Sequence, residues 1–453
     1  MRYVTLPVAA QKHEQSLVHR IAYCGSDEKR GLSRAVWPLV VALMLPGCGE
    51  NIYNELKLMP SPTVYVDGDL DPFNNRSAQQ IQAHTQLFYA TDRRVAGADD
   101  KQAFYTNERG IALRTGVANV KMTPPAQDWA SLHRITLAGE RDIARTLKVS
   151  TVHEIGPMPF SSSDENGMPL PEQVTRKAAS IFSKSIDRQL VLSGNRDVFI
   201  YVHGYNVDFE YPTLVSKELQ HFLGYQGAFI SYNWPATPSR LAYFRDLETA
   251  SATRRNLRKL IEFVSDSTDA RRIHLIGYSA GSRLVFEVAY QIALQNQVSG
   301  TRRARLGQVI LIGSDLDRTY FIQALADGLL EGMDHLSIYM SGSDAALNIS
   351  RMVFGRNRLG QVAAEGEVSP GIEDLLIAEP RLSLIDSSNA PGVDLGNGHW
   401  YFRSSPWTSS DIFVSLLKGL SPATRGLARV PGSALWQFPA DYPDRLKSAL
   451  TAE

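Results

Sequence analysis

Gly277-Tyr278-Ser279-Ala280-Gly281 sets a serine hydroxyl between two glycines. Before it runs Arg272-Ile273-His274-Leu275-Ile276, a short β-rich stretch, and after it Ser282 to Ala289 reads as a helix. A G-x-S-x-G between strand and helix is a nucleophile elbow. The turn is sharp and strained, which is why small residues flank it. It lifts Ser279 above a sheet at a helix N-terminus, where free N–H groups and the helix dipole favour developing negative charge.

A serine hydroxyl is a weak nucleophile at neutral pH and needs a base within hydrogen-bond reach. Only His335 and His399 follow Ser279 in the chain. His335 comes just before a strand, at the wrong end of a parallel sheet. His399 lies in Gly396-Asn397-Gly398-His399-Trp400, a loop after the last strand, where the order serine, acid, histidine places a base. The acid that fixes its tautomer is expected at Asp344, with Asp315 and Asp317 as alternatives; Asp344 also suits a helix N-cap. The oxyanion needs two backbone donors, expected at Ala280 and Tyr205. His203 and Gly204 shape the second turn, and His203 reads as a structural histidine. Trp234 and Tyr278 are candidates for the substrate pocket or, equally, for the core.

These residues need a scaffold. Val198 to Val202 is a continuous apolar run, as expected of a strand buried on both faces of a parallel sheet. Similar strands are expected at 228–232, 272–276, 309–312, 336–340 and 382–385. Helices are expected at 172–190, 209–223, around 257–264 (Leu257, Leu260, Ile261 and Val264 at i, i+3, i+4 and i+7), after Ser279, near 319–331 and near 408–418. Alternating strands and helices predict a mostly parallel central sheet flanked by helices, an α/β fold. Active groups in such sheets lie at the carboxyl ends of strands. His203, Asn233, Ser279, Asp315 and Asp344 all fall there. Upstream, Leu87 to Arg94, 111–122 and 132–137 read as strands of a β-rich N-terminal extension. The resulting division is 1–48 a lipoprotein signal segment, 49–83 a tether, 84–195 the β-rich portion, 196–418 the catalytic core and 419–453 a C-terminal extension. Residues 355–380 have the length of a lid.

The chain has 453 residues and no formal net charge. No basic face points to a nucleic-acid partner. Cys24 and Cys48 are the two cysteines, too few for a disulfide framework or a thiolate metal site. With no metal cluster, phosphate loop or dinucleotide fingerprint, no cofactor is expected. Ala35 to Leu45 is too short to span a bilayer but has the length of a signal-peptide apolar region. It ends in Leu45-Pro46-Gly47-Cys48, which resembles a bacterial lipobox with Cys48 as the lipidated residue. That predicts a cell-envelope protein anchored on the periplasmic side, or a cytoplasmic one if the lipobox is not used.

Taken together, Phe88-Tyr89-Ala90-Thr91-Asp92-Arg93, Val202-His203-Gly204-Tyr205-Asn206, Trp234-Pro235, the Ser279 elbow, Tyr339 to Leu347 and Gly398-His399-Trp400-Tyr401-Phe402 resemble a bacterial family. It is the α/β-hydrolase family of esterase/lipase type catalogued as a domain of unknown function, number nine hundred. The resemblance runs from about Gln86 to Lys418. It implies the α/β-hydrolase fold and a Ser279-Asp344-His399 triad. Where the family often has His-Ser-Met-Gly, this chain has Tyr278-Ser279-Ala280-Gly281, which leaves the pocket open. Where it often has Ala-Pro-Asp-Ile-Asp, this chain has Gly313-Ser314-Asp315-Leu316-Asp317, which leaves the acid open. The expected function is a serine hydrolase acting on a small-molecule or lipid ester through an acyl-enzyme. An acyltransferase would use the same triad, and a binding module on the hydrolase fold is the non-catalytic alternative. Oligomeric state is not legible.

Overall fold

A computed structural model describes residues 54–451, apart from 67, 69, 74–77, 79–80, 82–84, 162, 165–166, 302–303 and 364–367. The signal segment 1–48 and the lipidation expected at Cys48 lie outside the described residues.

The expected core strands form as β5 (Asp197–Val202), β6 (Ala228–Tyr232), β7 (Arg272–Tyr278), β8 (Leu306–Ile312), β9 (Met333–Met340) and β10 (Leu382–Asp386). Upstream lie β1 (Leu56–Lys57), β2 (Leu87–Val95), β3 (Tyr105–Thr123) and β4 (Thr146–Pro157); downstream lie β11 (Ala428–Arg429) and β12 (Leu435–Gln437). They form one sheet in the order β1-β4-β3-β2-β6-β5-β7-β8-β9-β10-β12-β11. From β2 through to β12, neighbours in that order pair in parallel. Antiparallel β3, β4 and β1 extend one edge, and β11 turns back along the other. The expected α/β architecture is therefore present: a mixed, mostly parallel sheet with a β-rich N-terminal extension.

The helices are α1 (Thr63–Val66), α2 (Trp129–Leu137), α3 (Glu172–Ser193), α4 (Glu210–Phe222), α5 (Tyr243–Ser267), α6 (Ala280–Ser299), α7 (Arg318–Ala326), α8 (Ala345–Phe354), α9 (Pro370–Ala378), α10 (Tyr401–Ser404), α11 (Pro406–Lys418) and α12 (Tyr442–Thr451). One apolar layer joins the sheet to Phe182 and Ile186 of α3, Leu257 to Val264 of α5, Leu284 to Ile292 of α6 and Phe321 of α7. The opposite layer uses Leu214 to Phe222 of α4, Ile412 to Leu416 of α11 and Leu446 of α12.

One expected strand is corrected. Residues 132–137 lie in α2, whose N-cap Asp128 accepts from the Ser131 amide. The cap starts a helix, and Trp129 then packs edge-on against Phe73 at 4.8 Å. The expected helix near 319–331 splits at Gly328, whose φ is +86°, into α7 and a 3-10 turn at Leu329–Gly332.

Part of the stretch read as a tether is packed. Leu56 and Lys57 pair with β4. The buried Tyr65 ring stacks with Phe222 and Phe413. The C-terminal stretch is also tied in. Arg425, buried, makes a bidentate pair with Asp411 of α11 at 2.7 and 2.9 Å, and Tyr339 donates to the same carboxylate. Residues 355–380 carry the Asp317–Arg358 bridge and α9.

Candidate active site

Ser279 lies between β7 and α6 with φ 52° and ψ −125°, a left-handed backbone held by a non-glycine residue. Such strain persists where the surroundings fix it. Here the Ser279 amide donates to Ile312 O at 2.9 Å, and its carbonyl accepts from the Ser282 amide at 2.9 Å. Ser282 Oγ donates to that carbonyl as well and pairs with Ser314 Oγ at 2.8 Å. Gly281 lets α6 approach the end of β5. A Cβ there would sit 2.2 Å from His203 O and 2.4 Å from Val202 O. Both contacts are backbone and cannot rotate away. We expect Gly281→Ala to lower stability by about 2–3 kcal/mol, measured by urea unfolding.

The base and acid of the expected triad come together. His399 Nδ1 lies 2.6 Å from Asp344 Oδ2, and both side chains are buried. Asp344 follows β9 and precedes α8. Its other oxygen, Oδ1, accepts from the Leu347 amide at 3.0 Å. One carboxylate thus caps a helix and holds the imidazole, so the two roles read for it do not compete. The His399 loop is fixed by the Ala345 amide donating to Asn397 O at 3.1 Å and the His399 amide to Asn397 Oδ1 at 3.2 Å. Gly313, with φ +54°, leaves room for the ring; a Cβ would meet His399 Cε1 at 3.0 Å.

The alternative acids are occupied elsewhere. Asp315 Oδ1 accepts from Ser350 Oγ at 2.5 Å, and Oδ2 accepts from Tyr243. Arg358 and Arg283 each lie 3.5 Å from its carboxylate. Asp317 caps α7, accepting from the Tyr320 amide at 3.0 Å.

Ala280 opens α6, and the first amides of a helix have no partner within it. Facing the elbow is the turn after β5. Its His203 is buried, with Nδ1 2.7 Å from Gly204 O and its ring stacked on Trp234 at 5.0 Å. Trp234 Nε1 donates to His203 O at 2.7 Å. Trp234 is itself fully buried, so it braces this turn from inside. Burial, aided by the charge of Arg93, pushes the His203 imidazole down from 6.5 to about 3. The folded chain then binds fewer protons at this site than the unfolded chain between those values. Stability is lost as pH falls through that window. We expect about 2 kcal/mol of the loss between pH 7 and pH 5 to come from His203. Urea unfolding of His203→Gln at the two pH values should show a smaller difference than the parent by about that amount.

Tyr278 packs against His399 at 5.0 Å, Trp400 at 4.9 Å and Phe402 at 4.9 Å between ring centroids. Its hydroxyl has no hydrogen-bond partner among the described residues. Tyr205 sets its ring edge-on to Tyr243 at 5.0 Å.

Three supports were not assigned roles from sequence. Buried Arg93 donates to Val207 O and Asp208 O, after β5, and to Ala236 O, after β6. Thr91 Oγ1 donates to Asn233 O at 2.6 Å, and Asp92 accepts from Thr253 and Asn256 of α5. The Thr91-Asp92-Arg93 run thereby ties the loops around the elbow to one strand; its density of polar residues at a strand end was the available signal. Tyr401 is the third support. Its hydroxyl receives the Gly313 amide and donates to Tyr339 O, each at 2.7 Å, joining β8 to β9 beneath His399.

Residues 178–413, over half of the chain, match the family described as alpha/beta hydrolase of unknown function (DUF900). Two solved structures of esterase B from Lactobacillus rhamnosis are similar to parts of the chain. One, inhibited as a C6-C4 SN3 complex, is 15% identical, with 49% of this chain and 76% of that chain covered and a TM-score of 0.27. The other, inhibited by a C4-C4 SN3 tributyrin phosphonate, is 14% identical, with 49% and 74% covered and a TM-score of 0.27. No curated protein matches the chain.

Proposed function

Since the chain belongs to the DUF900 family of alpha/beta hydrolases of unknown function, we propose that it is a serine hydrolase cleaving carboxylic esters through an acyl-enzyme on Ser279. The observation that carries this reading is the 2.6 Å contact between His399 Nδ1 and Asp344 Oδ2, in the loops beside a strained serine elbow. Asp344 keeps the imidazole proton on Nδ1, which leaves Nε2 free to act as base. Ser279 Oγ attacks the ester carbonyl while its proton passes to Nε2. The oxyanion is received by the Ala280 and Tyr205 amides. The imidazolium then protonates the departing alkoxide, and the alcohol leaves. A water enters, gives its proton to Nε2, and its oxygen attacks the acyl carbon. Collapse of that second intermediate returns the proton to Ser279 Oγ and releases the acid.

The aromatic set of buried Tyr278 and Phe402 with half-buried Trp400 supports an acyl or alcohol group that is apolar. An envelope location through lipidated Cys48 belongs to the same proposal and rests on the lipobox alone. The reading is tested with a fluorophosphonate probe and a series of p-nitrophenyl esters of increasing chain length. Labelling at Ser279 with turnover of at least one ester is expected. A chain that takes up no probe and turns over no ester is not a serine hydrolase.

A further inference from the structure

Helix α8 is apolar on two faces. Leu347 turns inward, Phe354 is half-buried, and Ser350 reaches Asp315. Ala345, Ile349, Met352 and Val353, at i, i+4, i+7 and i+8, form a second face in solvent, with Met352 71% exposed. A solvated helix normally turns charge outward on that side. The 3-10 turn Arg240–Ala242 and the start of α5 continue the surface. Leu241 is 76% and Phe244 60% exposed, and the Phe244 ring meets Phe354 of α8 at 5.7 Å. Arg358 lies over the Phe354 ring, 4.3 Å from its centroid.

The charge around this patch has one sign. Residues 240–245 and 345–357 contain Arg240, Arg245, Arg351 and Arg356 and no Asp or Glu. All four are exposed, and none forms an ion pair among the described residues. Glu248, one turn beyond Phe244, is the first exposed acid on α5.

The position is also specific. Asp344, which holds His399, caps the first turn of α8. Tyr243, beside Phe244, carries the ring of Tyr205. The patch therefore adjoins the candidate active site at the carboxyl end of the sheet.

We propose that this patch is a docking surface for an anionic phospholipid bilayer. Leu241, Phe244, Ile349, Met352 and Val353 enter the acyl boundary, and the four arginines meet the headgroup phosphates. Contiguous exposed apolar surface marks an interaction site. An apolar helix face flanked by arginine partitions into an interface and strengthens with lipid charge. A protein partner or a second copy would be served by the apolar face alone; the unpaired arginines select the anionic bilayer.

The test uses the full chain carrying Cys48→Ser, so that no lipid is attached at that residue. Binding to vesicles of phosphatidylcholine alone and of phosphatidylcholine with phosphatidylglycerol is measured by sedimentation. The expected result is at least tenfold tighter partitioning onto the anionic vesicles. Phe244→Ser with Met352→Asp should lower it at least tenfold, and Arg351→Gln with Arg356→Gln should remove most of the anionic preference. The thermal midpoints of these variants and their turnover of a short soluble ester should match the parent. Equal partitioning by parent and Phe244→Ser/Met352→Asp overturns the proposal. So does a parent that is dimeric by sedimentation velocity and becomes monomeric in that variant, since a second copy would then cover the patch. Vesicle binding does not depend on Ser279, so the proposal stands or fails separately from the catalytic one.

Discussion

Ser279→Ala should leave a folded chain that turns over its best p-nitrophenyl ester with kcat lower by a factor on the order of 10⁵–10⁶. The size follows from the role. Without Oγ there is no acyl-enzyme, and what remains is binding and the oxyanion donors acting on water. The backbone at Ser279 has positive φ, and alanine tolerates that conformation no better than serine, so stability should change little. The thermal midpoint and a burst experiment on the same preparation check both statements. A variant that keeps more than about a hundredth of parental turnover would place the nucleophile elsewhere.

The second large effect separates the acids. Asp344→Asn should lower kcat by about 10⁴, with KM nearly unchanged, because an amide no longer fixes the productive histidine tautomer. Asparagine caps helices as well as aspartate does, so α8 should stay in place. Asp315→Asn should behave in the opposite way. Its carboxylate faces Arg283 and Arg358 and accepts from Tyr243 and Ser350. Removing that charge should cost about 3 kcal/mol of stability and change kcat by less than about tenfold. Chemical unfolding and steady-state kinetics on both variants decide between them. If Asp315→Asn carries the 10⁴ loss and Asp344→Asn is active, the acid is Asp315.

Much of this architecture was readable along the chain because the central strands are buried on both faces. Val198 to Val202 is a continuous apolar run, Ala228 to Tyr232 is apolar but for Ser231, and helices alternate with them. The elbow was readable because its glycines have a steric reason, which the 2.2 Å approach at Gly281 makes explicit. The 132–137 stretch misled because Ile135 and Thr136 are β-branched; the Asp128 cap and the contact of Trp129 with Phe73 override local preference. The packing of Tyr65 under Phe222 was not legible, since it joins residues 157 positions apart. For the same reason sequence left three acids open. Spacing along the chain does not report which carboxylate has an arginine beside it and which has a histidine.

The place of β2 in the sheet has a practical consequence. The family match begins at residue 178, yet β2, at Leu87–Val95, is the neighbour of β6 and carries Arg93 to the loops around the elbow. The match ends at residue 413, before β12 joins β10 and before Arg425 reaches Asp411. A fragment cut to the matched residues would present two raw sheet edges and a buried aspartate stripped of its arginine. Raw edges recruit other strands, so such a fragment is built to aggregate. The stretch that evolution labels and the stretch that folds are different lengths of the same polypeptide.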